Sequence, residues 1–276
     1  MSLRAVELSI EDVSAGLKLS NEAGWNQTAA DWAIFIRHGK VFGLKHGNEL
    51  IATSAILPYS GFGFVSMVLV TPTWRNRGLA TRLMEEAIHA LRSLALVPVL
   101  DATPAGAIVY RRMGFEPIFD LGRWERTATA PKQSSTGRAA RQPAGRERLN
   151  LLAQMDAESF GSARRFLFEE FMQRAQTQVF LCDDGFVMTR MGDRAVQVGP
   201  LAARTEAAGR DLLAATLTSL AGPVFLDVAE RFSDLRAWLE TNGFSRQRPF
   251  QRMALGRTGA FGRPACQMVT AGPEFG

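Results

Sequence analysis

The chain has 276 residues, 46% of them hydrophobic and 21% charged, with a net charge of +5. That is an ordinary globular balance, with enough apolar material for one large or two ordinary domains. No apolar run reaches the roughly eighteen residues a membrane span needs, and the opening MSLRAVELSIEDV has no signal core, so a cytoplasmic protein is expected.

In chain order, residues 1–10 alternate enough for a first strand. Ile10–Ala23 reads as a helix, with Val13, Leu17 and Leu19 near one face. Gly24-Trp25-Asn26-Gln27-Thr28 breaks it, and Thr28 is placed to cap a second helix over Ala29–Arg37. Val41–Lys45 and Leu50–Tyr59 are strands around the turn His46-Gly47-Asn48. The apolar run Val65–Val70 is a buried strand, stopped by Pro72, which has no N–H to give to a ladder. From about Gly78 the residues Leu79, Leu83, Ala87 and Leu91 recur as on a helix face. Val97–Asp101 is a strand, and Ala105–Met113 is a helix closed by Gly114. Phe115–Phe119 and Gly122–Thr127 supply two last strands. Thr129–Arg148 is rich in Pro, Gly, Ser and Arg without a period and reads as a linker.

Much of the positive charge sits in that linker, as Lys132, Arg138, Arg141, Arg146 and Arg148 against Glu147. It contains no aromatic residue to stack bases. A solvated linker accounts for it better than nucleic-acid contact. Cys182 and Cys266 read as buried thiols rather than a disulfide framework. His38, His46 and His89 have no Cys or carboxylate at ligand spacing, so no metal is expected.

The stretch with the most chemistry is Val65–Leu91: strand, basic glycine loop, helix. The first N–H groups of a helix have no internal partner and carry the positive end of its dipole. A phosphate there meets backbone donors. Gly78 lets a ligand approach without a Cβ in the way, and Arg75 and Arg77 add forked cationic donors. The spacing fits neither the three-glycine dinucleotide loop nor the Gly-Lys-Ser/Thr phosphate loop.

Strand–(V-T-P-x-x-R-x-x-G-x-A)–helix resembles the coenzyme A loop of the GNAT superfamily of N-acetyltransferases. The segment Tyr110-Arg111-Arg112-Met113-Gly114-Phe115 resembles that superfamily's next motif. The resemblance implies an α+β fold, a mixed β-sheet flanked by helices, with acetyl-CoA as co-substrate. It implies that Val68, Leu69 and Val70 hold the pantetheine arm and that Arg75, Asn76, Arg77, Gly78, Leu79, Ala80 and Thr81 hold the pyrophosphate. It implies that Tyr110 protonates the leaving thiolate, a step for which a positioned acid typically contributes 10²–10⁴-fold. Many members carry a Glu on the coenzyme strand as base. Here Phe64–Val68 has no carboxylate, Ser66 stands where one would serve, and Asp101 is the nearest candidate, with stabilisation of the helix N-terminus near Thr103 an equal reading. An Asn frequent seven residues before the Tyr is Thr103. Trp25, Asn26 and Trp32 fall in the region that usually lines the acceptor site, with core packing an equal reading for both tryptophans.

The two halves resemble each other. Leu83–Leu91 aligns with Leu212–Leu220 at an offset of 129, and Gly114-Phe115 with Gly243-Phe244. In the second copy Gly78 becomes Ala207, Arg77 becomes Glu206, Pro72 becomes Leu201 and Tyr110 becomes Leu239. A Cβ and a carboxylate would oppose the phosphates there. The expected organisation is therefore a catalytic domain over 1–128, a basic linker over 129–148 and a degenerate GNAT-like domain over 149–276. The tail after Gly256 reads as coil, with Cys266–Thr270 a short edge strand. The expected activity is transfer of an acetyl group to a primary amine of a small molecule or peptide. A non-catalytic acyl-CoA sensor is the alternative, and a homodimer is an open arrangement.

Overall fold

The computed structural model describes residues 3–127, 140–142 and 146–276. The first half runs β1 (Leu3–Glu7), α1 (Val13–Glu22), α2 (Ala29–His38), β2 (Lys40–His46), β3 (Glu49–Pro58), β4 (Phe62–Val70), α3 (Leu79–Ser93), β5 (Val97–Ala102), α4 (Pro104–Arg112), β6 (Phe115–Arg126). The second half repeats that order: β7 (Ala140–Gln142), α5 (Arg146–Phe160), α6 (Arg165–Met172), β8 (Gln178–Cys182), β9 (Gly185–Met191), β10 (Val196–Ala203), α7 (Glu206–Thr218), β11 (Val224–Ala229), α8 (Ser233–Thr241), β12 (Ser245–Leu255). One strand has no counterpart, β13 (Gln267–Val269). Within the stretch read as a linker, 140–142 pairs with β8 and α5 begins at Arg146. The rest of that stretch, 129–139 and 143–145, lies outside the described residues.

Local chemistry explains the elements that position the cleft. Thr28 accepts from the Asp31 N–H, and Asp31 accepts in return from the Thr28 N–H at 2.7 Å, so a reciprocal box starts α2. On α3 the stripe Leu79, Leu83, Ala87 and Leu91 is buried together with Met84 and Ile88. Thr103 caps α4 by accepting from the Gly106 N–H at 3.2 Å, and Pro104 occupies the first turn, where no N–H is needed.

Among the described residues, thirteen strands form a single mixed sheet, in the order β1-β2-β3-β4-β5-β12-β6-β11-β13-β10-β9-β8-β7. The halves exchange their last strands. β12 lies between β5 and β6, and β6 pairs on its other side with β11. The two strands expected over Phe115–Thr127 are in fact the one strand β6. Its backbone is paired along both edges, and Gly122 is not a break. A Cβ at Gly122 would lie 2.6 Å from Glu230 Oε1, so glycine is there for the close approach.

The exchange is locked by two related ion pairs. Arg252 on β12 grips Asp101 on β5 through Nε at 2.8 Å and Nη2 at 2.7 Å. Arg123 on β6 grips Asp227 on β11 through Nε and Nη2, both at 2.9 Å. All four side chains are buried.

β4 and β5 run parallel only over Phe62–Phe64 against Val97–Val99, then diverge. In the second half the matching gap between β10 and β11 is filled. β13 pairs antiparallel with both. The strand expected at an edge over Cys266–Thr270 is thus internal, because the diverging strands present unpaired backbone that a third strand satisfies. The main apolar core crosses both halves and includes Trp32, Phe35, Phe171, Phe186 and Phe275. Among the described residues no helix is long and apolar enough to cross a membrane.

Candidate active site

β4 carries a bulge where it leaves β5. Thr53 pairs with Leu69 and Ala55 with Ser66, so Met67 and Val68 stand opposite a single residue of β3. Met67 is left-handed (φ 52°), and Thr53 Oγ1 donates to its carbonyl at 2.8 Å. A left-handed non-glycine residue costs roughly 1–2 kcal/mol, a strain typical of functional sites. Val68 has no ladder partner on either side.

Beyond the bulge an open cleft of about 510 Å³ runs along Val68, Leu69 and Val70 to Arg75, Asn76, Gly78, Leu79, Ala80 and Thr81. Gly78 is the N-cap of α3 in the left-handed region (φ 74°), and no side chain caps that helix. A Cβ built at Gly78 would meet no protein atom within 4 Å and would stand in the open space of the cleft. Asn76 is also left-handed (φ 61°). Arg75 Nε donates to the Val70 carbonyl at 3.1 Å, tying the loop to the end of β4. Arg77 does not line the cleft. Its guanidinium lies 4.8 Å from the Trp74 ring centre.

The second copy of this loop is closed by its own side chains. Thr205 accepts from the Ala208 N–H at 3.2 Å, and Glu206 in the first turn of α7 accepts from the Leu235 N–H at 2.9 Å. The start of α3 has no side-chain cap, whereas the start of α7 is capped at the Ala208 N–H by Thr205 and carries the Glu206 carboxylate in its first turn.

Inward from the bulge, and sharing lining residues with the cleft, lies a smaller cavity of about 130 Å³. Trp25 and Val68 line both spaces. Ser66, Asp101, Thr103 and Tyr110 border the cavity, with Gln27, Arg123, Arg248, Phe250 and Glu274. The Ser66 hydroxyl is buried without a partner. Tyr110 leans toward Phe115, their ring centres 6.0 Å apart. Burial pushes the Tyr110 phenol up to about 12, so it is a neutral O–H at any ordinary pH.

Besides Arg77, three sequence-predicted residues are placed elsewhere or engaged otherwise. Asp101 borders the cavity, but both its oxygens are held by Arg252. Burial raises its pKa and the guanidinium opposes the rise. Its counterpart Asp227 makes the same pair in the half without a tyrosine, so the pair serves the strand exchange. With each oxygen accepting from Arg252, the observed role of Asp101 is in the strand exchange. Asn26 is buried away from the cavity. Its Oδ1 accepts from the Arg194 and Ala195 N–H groups, both at 2.9 Å, clamping the turn between β9 and β10. Trp32 is fully buried, with Nε1 donating to Ser20 Oγ at 3.1 Å. Arg123, Arg248 and Glu274 carried no sequence signal, because they come from exchanged strands and the tail.

The acetyltransferase (GNAT) domain family matches twice, over residues 37–117 and over residues 152–262. This chain is a tandem member of the GNAT family. A proposed acetyltransferase from Pyrococcus horikoshii superposes with a TM-score of 0.85 at 16% identity, covering 99% of this chain and 96% of that one. A tandem GNAT protein from the clavulanic acid biosynthesis pathway gives 0.68 at 15% identity, covering 92% and 98%. A GCN5-related N-acetyltransferase from Sphaerobacter thermophilus gives 0.64 at 12% identity, covering 96% and 98%. At these identities the likeness is one of fold. No curated protein matches by sequence. Members of the GNAT family move an acyl group from an acyl-coenzyme A to an amine, and this tandem protein is an acyltransferase by that membership.

Proposed function

We propose that the first half transfers an acetyl group from acetyl-CoA to a primary amine by direct attack on the thioester. The observation that carries this reading is the continuous path from the uncapped left-handed Gly78 loop, along the bulged β4, to the Tyr110 cavity. The residues present fit the co-substrate. Free N–H groups at the start of α3 and the Arg75 cation would hold the pyrophosphate, and the unladdered backbone at Val68–Val70 would hold the pantetheine arm. Acetyl-CoA supplies an activated acyl carbon and a thiolate leaving group.

The protein's residues do the rest. The bulge at Met67 frees backbone donors for the oxygen that becomes negative in the transition state. Tyr110, kept neutral by burial, gives its proton to the departing sulfur. Trp25 and Phe250 keep the reacting centre dry. The second half takes no acetyl-CoA on this reading, since β13 fills its gap and Thr205 and Glu206 occupy the start of α7. Its contribution is the wall that β12 and the tail build around the first site.

The test is release of free thiol from acetyl-CoA with a panel of amines, with thermal stabilisation by coenzyme A alongside. Stabilisation with amine-dependent thiol release supports transfer. Stabilisation without release from any amine supports a sensor instead. No stabilisation of the wild type ends both readings.

A further inference from the structure

The cavity beside Tyr110 holds two charged side chains that the fold leaves incompletely partnered. The first is Glu274, on the turn after β13. It is 4% exposed. Its Oε1 accepts from Arg190 Nη2 at 2.5 Å, and its Oε2 accepts from nothing. The surrounding turn is fixed. Phe275 stacks on Phe35 with ring centres 5.1 Å apart, and its carbonyl accepts from the Tyr59 hydroxyl and from Arg164 Nη1, both at 2.9 Å. A Cβ on Gly272 would lie 2.7 Å from Glu274 Oε1, so the glycine (φ 116°) leaves the carboxylate its place. The charges facing it are Arg190 from β9, Asp31 from α2, Arg123 from β6 and Asp227 from β11, and burial outweighs them in pushing its pKa up. A buried carboxylate oxygen without a donor is costly, and this one, with Arg190 Nη1 also unpartnered beside it, leaves the Arg190–Glu274 pair with room to accept from a group in the cavity.

The second is Arg248. It stands directly opposite Arg123 in the β6–β12 register. Like charges so placed repel. Arg123 is neutralised by Asp227, whereas the Arg248 Nε is buried without a partner. Burial and the Arg123 charge both depress the Arg248 pKa. The repeat supplies a comparison. At the offset of 129 shared by α4 and α8, the counterparts of Arg123 and Arg248 are Arg252 and Phe119. Those two also face each other in register, with the guanidinium 5.1 Å from the ring centre. Where one copy has an aromatic ring facing its arginine in register, the cavity side has a second cation there, Arg123 and Arg248 lying over the same Phe250 ring at 5.5 and 5.2 Å.

We infer that the acceptor is a small aliphatic amine carrying an anionic group, its ammonium received by Glu274 and its anion by Arg248. This rests on the transfer reading above. The size agrees, since a cavity near 150 Å³ accommodates benzene and this one is about 130 Å³. Room for about half a dozen heavy atoms fits a small amino acid or an aminoalkyl phosphate. The step balances within the site. Oε2 takes one proton from the ammonium. The freed nitrogen forms the N–C bond to the thioester carbon. As the C–S bond breaks, Tyr110 gives its proton to sulfur and recovers one from the nitrogen. The base missing from β4 is thus supplied by the tail of the second half, so the site is complete only with both halves.

The experiment compares kcat/KM for γ-aminobutyrate, O-phosphoethanolamine and propylamine in the wild type, Arg248→Met and Glu274→Gln, with acetyl-CoA thermal stabilisation measured on each. The wild type is expected to prefer an anionic amine, and which one it prefers assigns carboxylate or phosphate. Arg248→Met is expected to lower the ratio of anionic amine to propylamine by about 10–100-fold. Glu274→Gln is expected to lower kcat by about 10²–10⁴ with every amine and to keep the acetyl-CoA stabilisation. A wild type that acetylates propylamine as well as the anionic amines, or acetylates none of the three while acetyl-CoA still stabilises it, overturns the inference alone. Loss of acetyl-CoA stabilisation in the wild type would remove the transfer reading beneath it. A ratio unmoved by Arg248→Met also overturns it.

Discussion

Gly78 separates backbone strain from phosphate repulsion within one position. It is left-handed, and a Cβ there would meet no protein atom within 4 Å. Gly78→Ala therefore adds the strain of a left-handed L-residue, about 1–2 kcal/mol, and one uncharged methyl in the cleft. Gly78→Glu adds the same strain together with a negative charge at the proposed pyrophosphate site. At 4 Å and a near-surface dielectric, one like-charge contact costs about 4 kcal/mol. Saturation at a hundredfold over Kd contributes only about 2.7 kcal/mol, so the glutamate should abolish binding. In a protein of this size 1 kcal/mol moves Tm by about 2–4 °C. The wild type should rise by about 5–11 °C with coenzyme A. Both variants should melt about 2–8 °C lower without ligand. With ligand, Gly78→Ala should recover part of the rise, its methyl crowding the phosphates, and Gly78→Glu none. Differential scanning fluorimetry at matched ligand concentrations reads all of this. A full rise in Gly78→Glu would place the phosphates somewhere other than the start of α3.

Tyr110→Phe should lower kcat by about 10²–10⁴ while leaving the coenzyme A stabilisation intact; unchanged turnover would remove the acid role. Because burial lifts this phenol from 10.0 to about 12, its contribution to stability is present below pH 10 and fades as pH rises toward 12. The loss of stability over that window should shrink in Tyr110→Phe, as urea titrations at a series of pH values would show. Asp227→Ala should cost about 3–5 kcal/mol in the same titrations, because it strands the buried Arg123 charge; a cost under about 1 kcal/mol would show that the seam does not depend on the pair. Calorimetry should find one acetyl-CoA per chain, and Ala207→Gly should still find one, since β13 and Thr205 remain; a second site in that variant would contradict the closed second copy.

The sequence was most readable where chemistry is local. The Arg75–Thr81 loop, the Thr28 cap and the Thr103-Pro104 helix start follow from neighbours a few residues apart, and the repeated halves from local patterns recurring at one offset. What stayed hidden depends on strand order. Nothing in Phe115–Arg126 or Ser245–Leu255 says that each pairs in the other half's sheet, since an apolar alternating strand specifies a face and not a partner. The break expected between Phe119 and Gly122 came from reading a glycine as a turn, when it is a point of close approach to Glu230. Asp101 drew notice as a carboxylate at a strand end, but its partner Arg252 is far along the chain. Glu274 gave no signal at all, because its meaning comes only from the tail passing through the second half's gap.

Strand exchange also bears on why a second copy that, on the proposed reading, takes no acetyl-CoA would be retained. Both neighbours of β6 belong to the second half, and so does the strand that covers β5. Residues 1–127 alone would leave the β5 edge open over Val99–Ala102 and strand the Asp101 carboxylate without Arg252. Breaking one such buried pair costs about 3–5 kcal/mol, against a usual total stability of about 5–15 kcal/mol. The core around Trp32 and Phe35 would lose Phe171 and Phe275 as well, and large aromatic truncations cost about 3–5 kcal/mol each. The isolated half should therefore fail to fold as a monomer, and co-expression with residues 140–276 should restore a 1:1 complex that acetyl-CoA stabilises. Size-exclusion chromatography with fluorimetry on the two pieces, separate and together, decides the matter. A folded, monomeric first half that acetyl-CoA stabilises would show that the second copy is an appendage and that the seam adds little.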